Sequence, residues 1–467
     1  NPKDSRKRHR RSPVCVTIQL VKQIETRRSA VTHCSLDRIA FPACRKRRVE
    51  AGFDGGDVSS NGGVLLLRQA DRALGLTAAV ARALPDGRQR GKVQHRVLDM
   101  LRQRVFGIAL GYEDVNDHAA LRRDLALQTA VDRDAPLASA PTLSRFENAA
   151  DRGWAWAAHE ALFACFIAAF ETPPEEIVLD FDATDDAVHG GQEGRFFHGY
   201  YDRYCFLPLY VFAGDHLLAA YLRPANIDPA RHTGAILKLL VARLRRAWPA
   251  VRIVLRADSG FCRWRLMNWC ERHNVGYILG LARNARLAAL AEPAMAAAEA
   301  GFRSAGTKQR RFAELRYGAR SWGRERRVIA RIEHAEKGAN PRFVVTNLDG
   351  GGQQLYERVY CARGEMENRI KEQQLDLFAD RTSCHRWWPN QFRLLLASVA
   401  YTLLAAIRRL ALGGTEMARA RCATIRLRLL KVGAVILRNT RRVRFMLSSA
   451  CPDEQLFRHA AARLDPG

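Results

Sequence analysis

A change in the spacing of apolar residues near residue 175 constrains the fold more than any other feature of this sequence. Upstream segments such as 97–108 repeat apolar residues at helical spacing. From residue 175, EEIVLDFDAT alternates apolar and polar residues as a strand does, and YCFLPLYVFAGDHLLAAYLRP indicates a hairpin that turns at Gly214 and Asp215. An amphipathic helix, the strand VRIVLRAD, a second helix and the strand VGYILGLA follow.

The predicted order is therefore strand, strand, strand, helix, strand, helix, strand. It is typical of an α/β, RNase H-like core, in which three antiparallel strands are followed by parallel ones. The segments AELRY, RRVIARIEHA and RFVVTNL predict further β strands, and helical patterning returns after them. The predicted domains are a basic, disordered tail at 1–50, a helical DNA-end-binding domain at 51–174, the first part of the core at 175–284, a β-rich insertion at 285–355, and a core helix with a basic helical C-terminus at 356–467.

Two of these segments leave alternatives open. The helical region 51–174 fits an ordinary helical bundle as well as a domain that recognises DNA ends. The basic segment at 1–50 fits a DNA-contacting arm, and it fits equally a stretch translated ahead of the natural start.

The charge of the chain favours a polyanionic partner. The formal net charge is +27, which indicates nucleic acid before an anionic membrane. No apolar run reaches the length of a membrane span, since Leu394–Ile407 is too short. The 11 cysteines form no Cys-x-x-Cys pair and predict reduced thiols in a cytoplasmic protein.

Three acids occupy positions at which this core could hold metal ions. Asp182 lies on the first predicted strand, Asp258 ends the fourth, and Glu367 lies on a later helix. Phosphoryl transfer uses two Mg²⁺ ions about 4 Å apart, which carboxylate oxygens hold; Mn²⁺ is the expected substitute. Asp180 and Asp182 share one face of their strand, so patterning alone does not choose between them.

A stripe on the predicted helix is a second, independent signal. Tyr360, Arg363, Glu367, Lys371 and Gln374 are spaced three or four residues apart and therefore fall on one helical face. Such a face can present one carboxylate to metal while its cations reach phosphates. The alternative is a solvated face with Glu–Lys pairs one turn apart.

The strings DFDATDDAVHG, RADSGF and Y-x-x-R-x-x-x-E resemble signatures of bacterial insertion-sequence transposases with a DDE site. The resemblance is greatest to the insertion-sequence 1380-type group and covers roughly residues 50–460. It implies an RNase H-like core with a β insertion between the second Asp and the Glu. It also implies Mg²⁺-dependent cleavage and strand transfer at the terminal inverted repeats of a mobile element.

Carried over residue by residue, the resemblance implies a catalytic, metal-binding set. Asp182 followed by Thr184 matches the first-acid pattern, which favours Asp182 over Asp180. Asp258 matches the second acid and Glu367 the third.

The resemblance also implies residues that contact DNA. Tyr360 and Arg363 match the start of a Tyr–Arg–Glu–Lys signature, but Gln374 stands where the Lys is expected, which leaves Lys371 as the alternative. Trp322 is the aromatic of the insertion that would stack on a flipped base. Packing in a turn is the alternative for Trp322.

The expected partners are double-stranded DNA, at element ends and target, and a second copy of the chain on that DNA. Two other functions stay open: a structure-specific nuclease on the same core, and a DNA-binding protein whose catalytic site is unused.

Overall fold

The structure, a computed structural model, describes residues 38–465. Contacts divide the chain into one unit that ends at Gly56 and a second that begins at Asp57. The strands are β1 Ile39–Cys44, β2 Arg47–Ala51, β3 Val58–Ser59, β4 Glu176–Ala183, β5 Asp186–Ala187, β6 Phe196–His198, β7 Arg203–Phe206, β8 Leu209–Ala213, β9 His216–Tyr221, β10 Arg252–Ala257, β11 Gly276–Leu281, β12 Gln309–Tyr317, β13 Arg326–Ala335, β14 Gly338–Thr346, β15 Ala434–Arg438 and β16 Val443–Leu447.

The α-helices are α1 Val64–Leu74, α2 Leu76–Ala83, α3 Val97–Ala109, α4 His118–Leu121, α5 Leu125–Ala130, α6 Ala140–Asn148, α7 Arg152–Ala168, α8 Thr233–Ala247, α9 Trp264–Arg272, α10 Ala285–Ala305, α11 Gly352–Gln354, α12 Gly364–Lys371, α13 Trp387–Ala406, α14 Cys422–Ile425 and α15 Glu454–Leu464. Between α11 and α12, and after α12, π and 3₁₀ turns continue the helical backbone: Leu355–Tyr360, Cys361–Arg363 and Glu372–Asp376. We call residues 352–376 the acidic helix stretch, because it carries Glu367.

A mixed sheet of eight strands lies at the centre of the second unit, in the order β12-β13-β14-β11-β10-β4-β8-β9. β4, β8 and β9 run antiparallel to one another, whereas β10 is parallel to β4 and β11 is parallel to β10. This is the order predicted from residues 175–284. Pro208 divides the first strand of the predicted hairpin, so that β8 stays in the large sheet while β7 joins a small one with β5 and β6.

The segment 285–355 differs from the predicted β-rich insertion in two ways. Its first part is the helix α10, which Asn284 caps by accepting a hydrogen bond from the Leu287 amide at 3.0 Å and which ends at Gly306 (φ 66°). Alanine-rich composition favours this helix. The strands β12, β13 and β14 occur where predicted, but β14 pairs antiparallel with β11. They therefore extend the large sheet and cover the edge that β11 would otherwise expose.

Helices from both ends of the second unit share one hydrophobic core. Side chains of α1–α7 pack with those of α13 and with the segments that follow it. The helix Trp387–Ala411 is long and apolar enough to cross a membrane, with mean hydropathy 1.6, but 83% of its most apolar window is buried inside the protein. It is thus a central core helix. Residues 57–174 and 356–465 belong to one compact unit, so the predicted regions 51–174 and 356–467 are not separate successive domains.

Part of the predicted tail is ordered. Within residues 1–50, those from 39 onward belong to the hairpin of β1 and β2, and residues 1–37 lie outside the described part of the chain. Phe41 lies opposite Val49, and Arg45 takes a left-handed conformation (φ 57°) at the turn. The prediction of disorder followed the basic composition and missed this apolar cross-strand pair.

The predicted helical C-terminus also contains strands. β15 pairs antiparallel with β16 and with β3, and together they form a three-stranded sheet. Asn439 makes the turn by accepting hydrogen bonds from the Arg441 and Arg442 amides, both at 3.0 Å. A run of β-formers before an Asn-containing turn is a hairpin signal that the prediction of helix overlooked.

Candidate active site

The first two acids lie at the same edge of the sheet. Phe181 of β4 pairs with Ala257 of β10, and the next residues along these parallel strands are Asp182 and Asp258. The Asp258 side chain accepts a hydrogen bond from the Gly260 amide at 2.8 Å and so caps the short 3₁₀ turn that follows the strand. The two carboxylates are held by neighbouring strands as the sequence predicted.

Arg363 links the first acid to the third. Its Nη1 donates to Asp182 Oδ2 at 3.0 Å, and its Nη2 donates to Glu367 Oε1 at 2.5 Å. The Asp182 side chain is 14% exposed and that of Glu367 is 45% exposed. The structure thus brings Asp182 and Glu367 together through a guanidinium group.

The negative charges of Asp258 and Glu367 act on the carboxyl group of Asp182. Burial raises the pKa of Asp182 to about 6, with Arg363 opposing this rise and the charges of Asp258 and Glu367 adding to it. A neighbouring negative charge disfavours the ionised form of a carboxyl group, which is why the charges of Asp258 and Glu367 act in this direction on Asp182. This cluster therefore favours a bound cation.

The donor set fits a divalent metal by its chemistry, since carboxylate oxygens are the ligands that Mg²⁺ prefers. Within residues 38–465, no three His, Cys, Asp or Glu side chains already lie close enough to hold a metal ion. Arg363 lies between Asp182 and Glu367, so a metal would have to displace its guanidinium group from these carboxylates.

Asp180 has a different role from Asp182. It is buried and forms a bidentate ion pair with Arg256, its cross-strand neighbour on β10, with Nη2 to Oδ2 at 2.6 Å. Arg256 also donates to the Val359 carbonyl. This pair therefore connects two central strands to the acidic helix stretch near Val359.

Tyr360 packs close to the second acid. A Cβ atom added at Gly280 would lie 2.7 Å from both the Tyr360 hydroxyl and the Ser259 amide nitrogen. Burial raises the pKa of Tyr360 to about 12, and the charge of Asp258 contributes. The sequence analysis did not select Gly280, although a glycine within a strand often marks such a close approach.

The other end of the acidic helix stretch is also fixed to the sheet. Gln374 donates to the Asp185 carbonyl and to Asp186 Oδ1, both at 2.9 Å. Asp186 is fully buried, and burial raises its pKa well above the usual range. Lys371 is exposed. Gln374 therefore holds the backbone after Asp182, while Lys371 remains at the surface.

Comparison with known proteins identifies the family. A family model described as "Transposase DDE domain group 1" matches residues 41–466. The chain belongs to this transposase family. No curated protein matches the chain. Among solved structures, a cryo-EM structure of the piggyBac transposase synaptic complex with hairpin DNA is similar, with a TM-score of 0.39 and 10% sequence identity over 84% of this chain and 82% of that chain.

In this transposase-family chain, Trp322 lies on the other side of the sheet from the acidic helix stretch. Its ring packs edge-on against Tyr317, with centroids 5.4 Å apart, and the Arg326 guanidinium lies 5.3 Å from its centroid. It belongs to the core that α10 covers, whereas Tyr360 packs in a separate cluster on the opposite face. The structure does not bring Trp322 to the three acids and supports the packing alternative.

A basic groove of about 790 Å³, in which most of the charged side chains are arginines, extends from Glu367 over the sheet. Glu367 and Arg363 line one part of it, and Arg283, Arg331 and Arg342 line another. Arg331 and Arg342 are directly opposite each other on β13 and β14, and Glu333, which also lines the groove, forms an ion pair with Arg331 at 3.4 Å. The sequence analysis missed these arginines, because their proximity depends on strand register.

Proposed function

We propose that this chain is the transposase of a mobile DNA element, closest to the bacterial insertion-sequence 1380-type group. In this proposal it binds the terminal inverted repeats and catalyses metal-dependent strand cleavage and strand transfer. The observation that carries the proposal is that Arg363 pairs with both Asp182 and Glu367, with Asp258 following the neighbouring strand, in a chain of the DDE transposase family.

Asp182, Asp258 and Glu367 would hold the metal ions, with Mn²⁺ able to substitute for Mg²⁺. When bound, two such ions supply charge neutralisation at the attacking and leaving oxygens of the phosphodiester. The shared edge of β4 and β10 fixes the first two carboxylates. The Asp180–Arg256 pair and Gln374 fix the stretch that presents the third.

Arg363 has two successive partners in this proposal. In the structure it forms ion pairs with Asp182 and Glu367. Once those carboxylates are engaged elsewhere, its planar guanidinium is free to donate two hydrogen bonds to a phosphate of the DNA. The exposed Lys371 would contact the flanking strand as a point charge.

The basic groove supplies a path for the DNA backbone beside the acids. The opposed side chains of Arg331 and Arg342 would both contact a backbone phosphate there, in addition to the ion pair that Arg331 forms with Glu333. Because a backbone contact carries no sequence information, recognition of the inverted repeats is assigned to the helical region 51–174. We further propose that two copies assemble on the DNA, since an element has two ends.

Incubating the protein and Mg²⁺ with labelled DNA from both sides of the coding region tests this function. Joined products would support the transposase. Cleavage that never leads to joining would indicate a structure-specific nuclease instead. A shifted band without any covalent change, in Mg²⁺ and in Mn²⁺, would indicate a DNA-binding protein whose catalytic site is unused.

A further inference from the structure

A short hairpin that follows β4, the strand of Asp182, and β5 in the chain carries exposed aromatic rings. β6 and β7 form this hairpin, which we call the aromatic hairpin (residues 195–206). Phe196 is 41% exposed, Phe197 52%, Tyr200 84% and Tyr204 49%. The rings of Phe197 and Tyr204 lie on one face of the hairpin with their centroids 5.7 Å apart, and exposed aromatic side chains grouped in this way mark a binding surface.

The base of the aromatic hairpin is fixed, although its tip is exposed. Phe206 is fully buried, and its ring centroid lies 5.4 Å from that of Trp387 on the core helix α13. The Trp387 amide donates to Glu193 Oε2 at 3.0 Å. Gly194 (φ 78°) packs so closely that an added Cβ would lie 2.6 Å from the Trp387 ring. The rings therefore project from a rigid support, which lowers the entropy cost of binding.

Positive charge alternates with the rings. The Arg195 guanidinium lies 4.7 Å from the centroid of the Tyr204 ring, and Phe197 lies directly opposite Tyr204 across the strands. Arg203 is 56% exposed, with its Nε 3.8 Å from Asp185. Surfaces that bind single-stranded nucleic acid combine such cations, which attract the backbone, with rings on which bases stack.

The aromatic hairpin lies beside the candidate active site. Asp186 of β5, four residues after Asp182, pairs with Phe206 of β7. Tyr201, at the turn, lies close enough to Asp185 and Asp182 for their charges to act on it. Burial raises the pKa of Tyr201 to about 12, and these two charges add to the rise. DNA held at the acids would thus pass close to the exposed rings.

We propose that the aromatic hairpin stacks on unpaired bases of the DNA strand next to the candidate active site. This inference rests on the proposed function, because it takes DNA as the substrate. In a duplex the faces of the bases are already stacked, so only unpaired bases can use these rings. Protein interfaces also contain aromatic and arginine side chains, but in the absence of DNA two chains of net charge +27 repel each other, whereas each attracts a polyanion.

The test measures binding of two labelled DNA probes in EDTA by fluorescence anisotropy. One probe is a single-stranded oligothymidine of about 16 nucleotides, which is the upper end of the known site sizes for such binding. The other probe is a duplex of mixed sequence and equal length. The variants are Phe197→Ala, Tyr200→Ala and Tyr200→Phe. Trp156→Ala is the matched control, since Trp156 is 56% exposed on α7.

We expect Phe197→Ala and Tyr200→Ala each to weaken binding of oligothymidine about tenfold, since stacking on one ring is lost. Duplex affinity should change less than about twofold, because the phosphate contacts remain. Tyr200→Phe keeps the ring and should bind like the wild type, as should Trp156→Ala. Melting temperatures confirm that the variants fold, and Tyr200, at 84% exposure, is the substitution least able to disturb the fold.

Equal losses for oligothymidine and duplex would overturn the inference, because the rings would then have no preference for unpaired bases. Unchanged oligothymidine affinity combined with altered self-association in sedimentation would overturn it in favour of an interface between two copies. If the wild type binds neither probe, the proposed function fails together with this inference. If the wild type binds the duplex and both alanine variants bind oligothymidine as the wild type does, the stacking role of the aromatic hairpin is wrong, while the proposed function stands.

Discussion

Two aspartates on one strand, two residues apart, have opposite environments. Asp180 lies opposite Arg256 and forms a buried ion pair, whereas Asp182 lies beyond the last paired residue of β10 and faces Arg363. The period of a strand places both on one face, so the apolar pattern could not separate them. The register of β4 against β10 does, and register depends on contacts between segments far apart in the sequence.

We expect Asp180→Asn to destabilise the fold, because it leaves the buried Arg256 guanidinium uncompensated. A loss of about 3 kcal/mol in the free energy of unfolding is typical of a broken buried pair. Denaturant titration of the metal-free protein measures it, with Asp182→Asn as the matched substitution. The assignment is wrong if Asp180→Asn unfolds at the wild-type denaturant concentration.

The ionised side chain of Asp182 should lower the free energy of unfolding at neutral pH. Its pKa is about 6 in the folded protein, against about 3.9 in an unfolded chain, so the folded state alone binds a proton between these values. Stability from this group is present at low pH and is lost as the pH rises through about 6. Asp182→Asn should therefore have a higher melting temperature than the wild type at pH 7.5 in EDTA. The corresponding gain in the free energy of unfolding is on the order of 1 kcal/mol, and it should be smaller at pH 5. If the difference in stability between Asp182→Asn and the wild type is the same at pH 7.5 and at pH 5, this expectation is wrong.

At the scale of elements, the acidic helix stretch positions the site. Arg256 fixes it near Val359, and Gln374 fixes it at the other end. The helical stripe predicted which residues share a face, but a regular rotation per residue could not foresee the π turns that flank α12. Arg369 lies two residues after Glu367 and therefore on a different face of α12, where it forms ion pairs with Asp215 and Glu372.

Arg363 should compete with metal for the acids. Since its guanidinium holds Asp182 and Glu367 in the metal-free structure, Arg363→Ala should increase the rise in melting temperature that Mn²⁺ produces. Arg358→Ala, an exposed arginine of the same stretch, is the control and should respond as the wild type does. Arg369→Ala is unsuitable because it breaks structural ion pairs. An equal or smaller Mn²⁺ response in Arg363→Ala would reject the competition.

At the scale of the molecule, local periodicity predicted the order of the core strands, but not how distant segments join. The pairing of β3 with β15 connects residues near 58 with residues near 434. The core helix α13 packs against helices of the N-terminal region for the same reason, since its apolar faces need partners that no short window of sequence contains. Domain boundaries placed where composition changes therefore missed this shared core.

The excess of positive charge also belongs to the whole chain. With a net charge of +27, binding to arbitrary duplex DNA should release many counterions, so affinity should fall steeply with salt. For six or more phosphate contacts the expected loss is about a thousandfold between about 50 and 200 mM salt. Anisotropy titrations in EDTA give the slope. A nearly flat dependence would show that this charge does not contact DNA.

Glu367 and Glu365 provide the most direct test of the central claim, that Asp182, Asp258 and Glu367 form the site of cleavage. Both glutamates lie on α12, but Glu367 is paired with Arg363 beside Asp182, whereas Glu365 is 78% exposed. The measurement is single-turnover cleavage of labelled element-end DNA with Mg²⁺, at saturating protein. We predict that Glu367→Gln lowers the rate at least about a hundredfold while DNA affinity is kept, and that Glu365→Gln cleaves within about twofold of the wild type. Equal cleavage rates for Glu367→Gln and Glu365→Gln would contradict the claim.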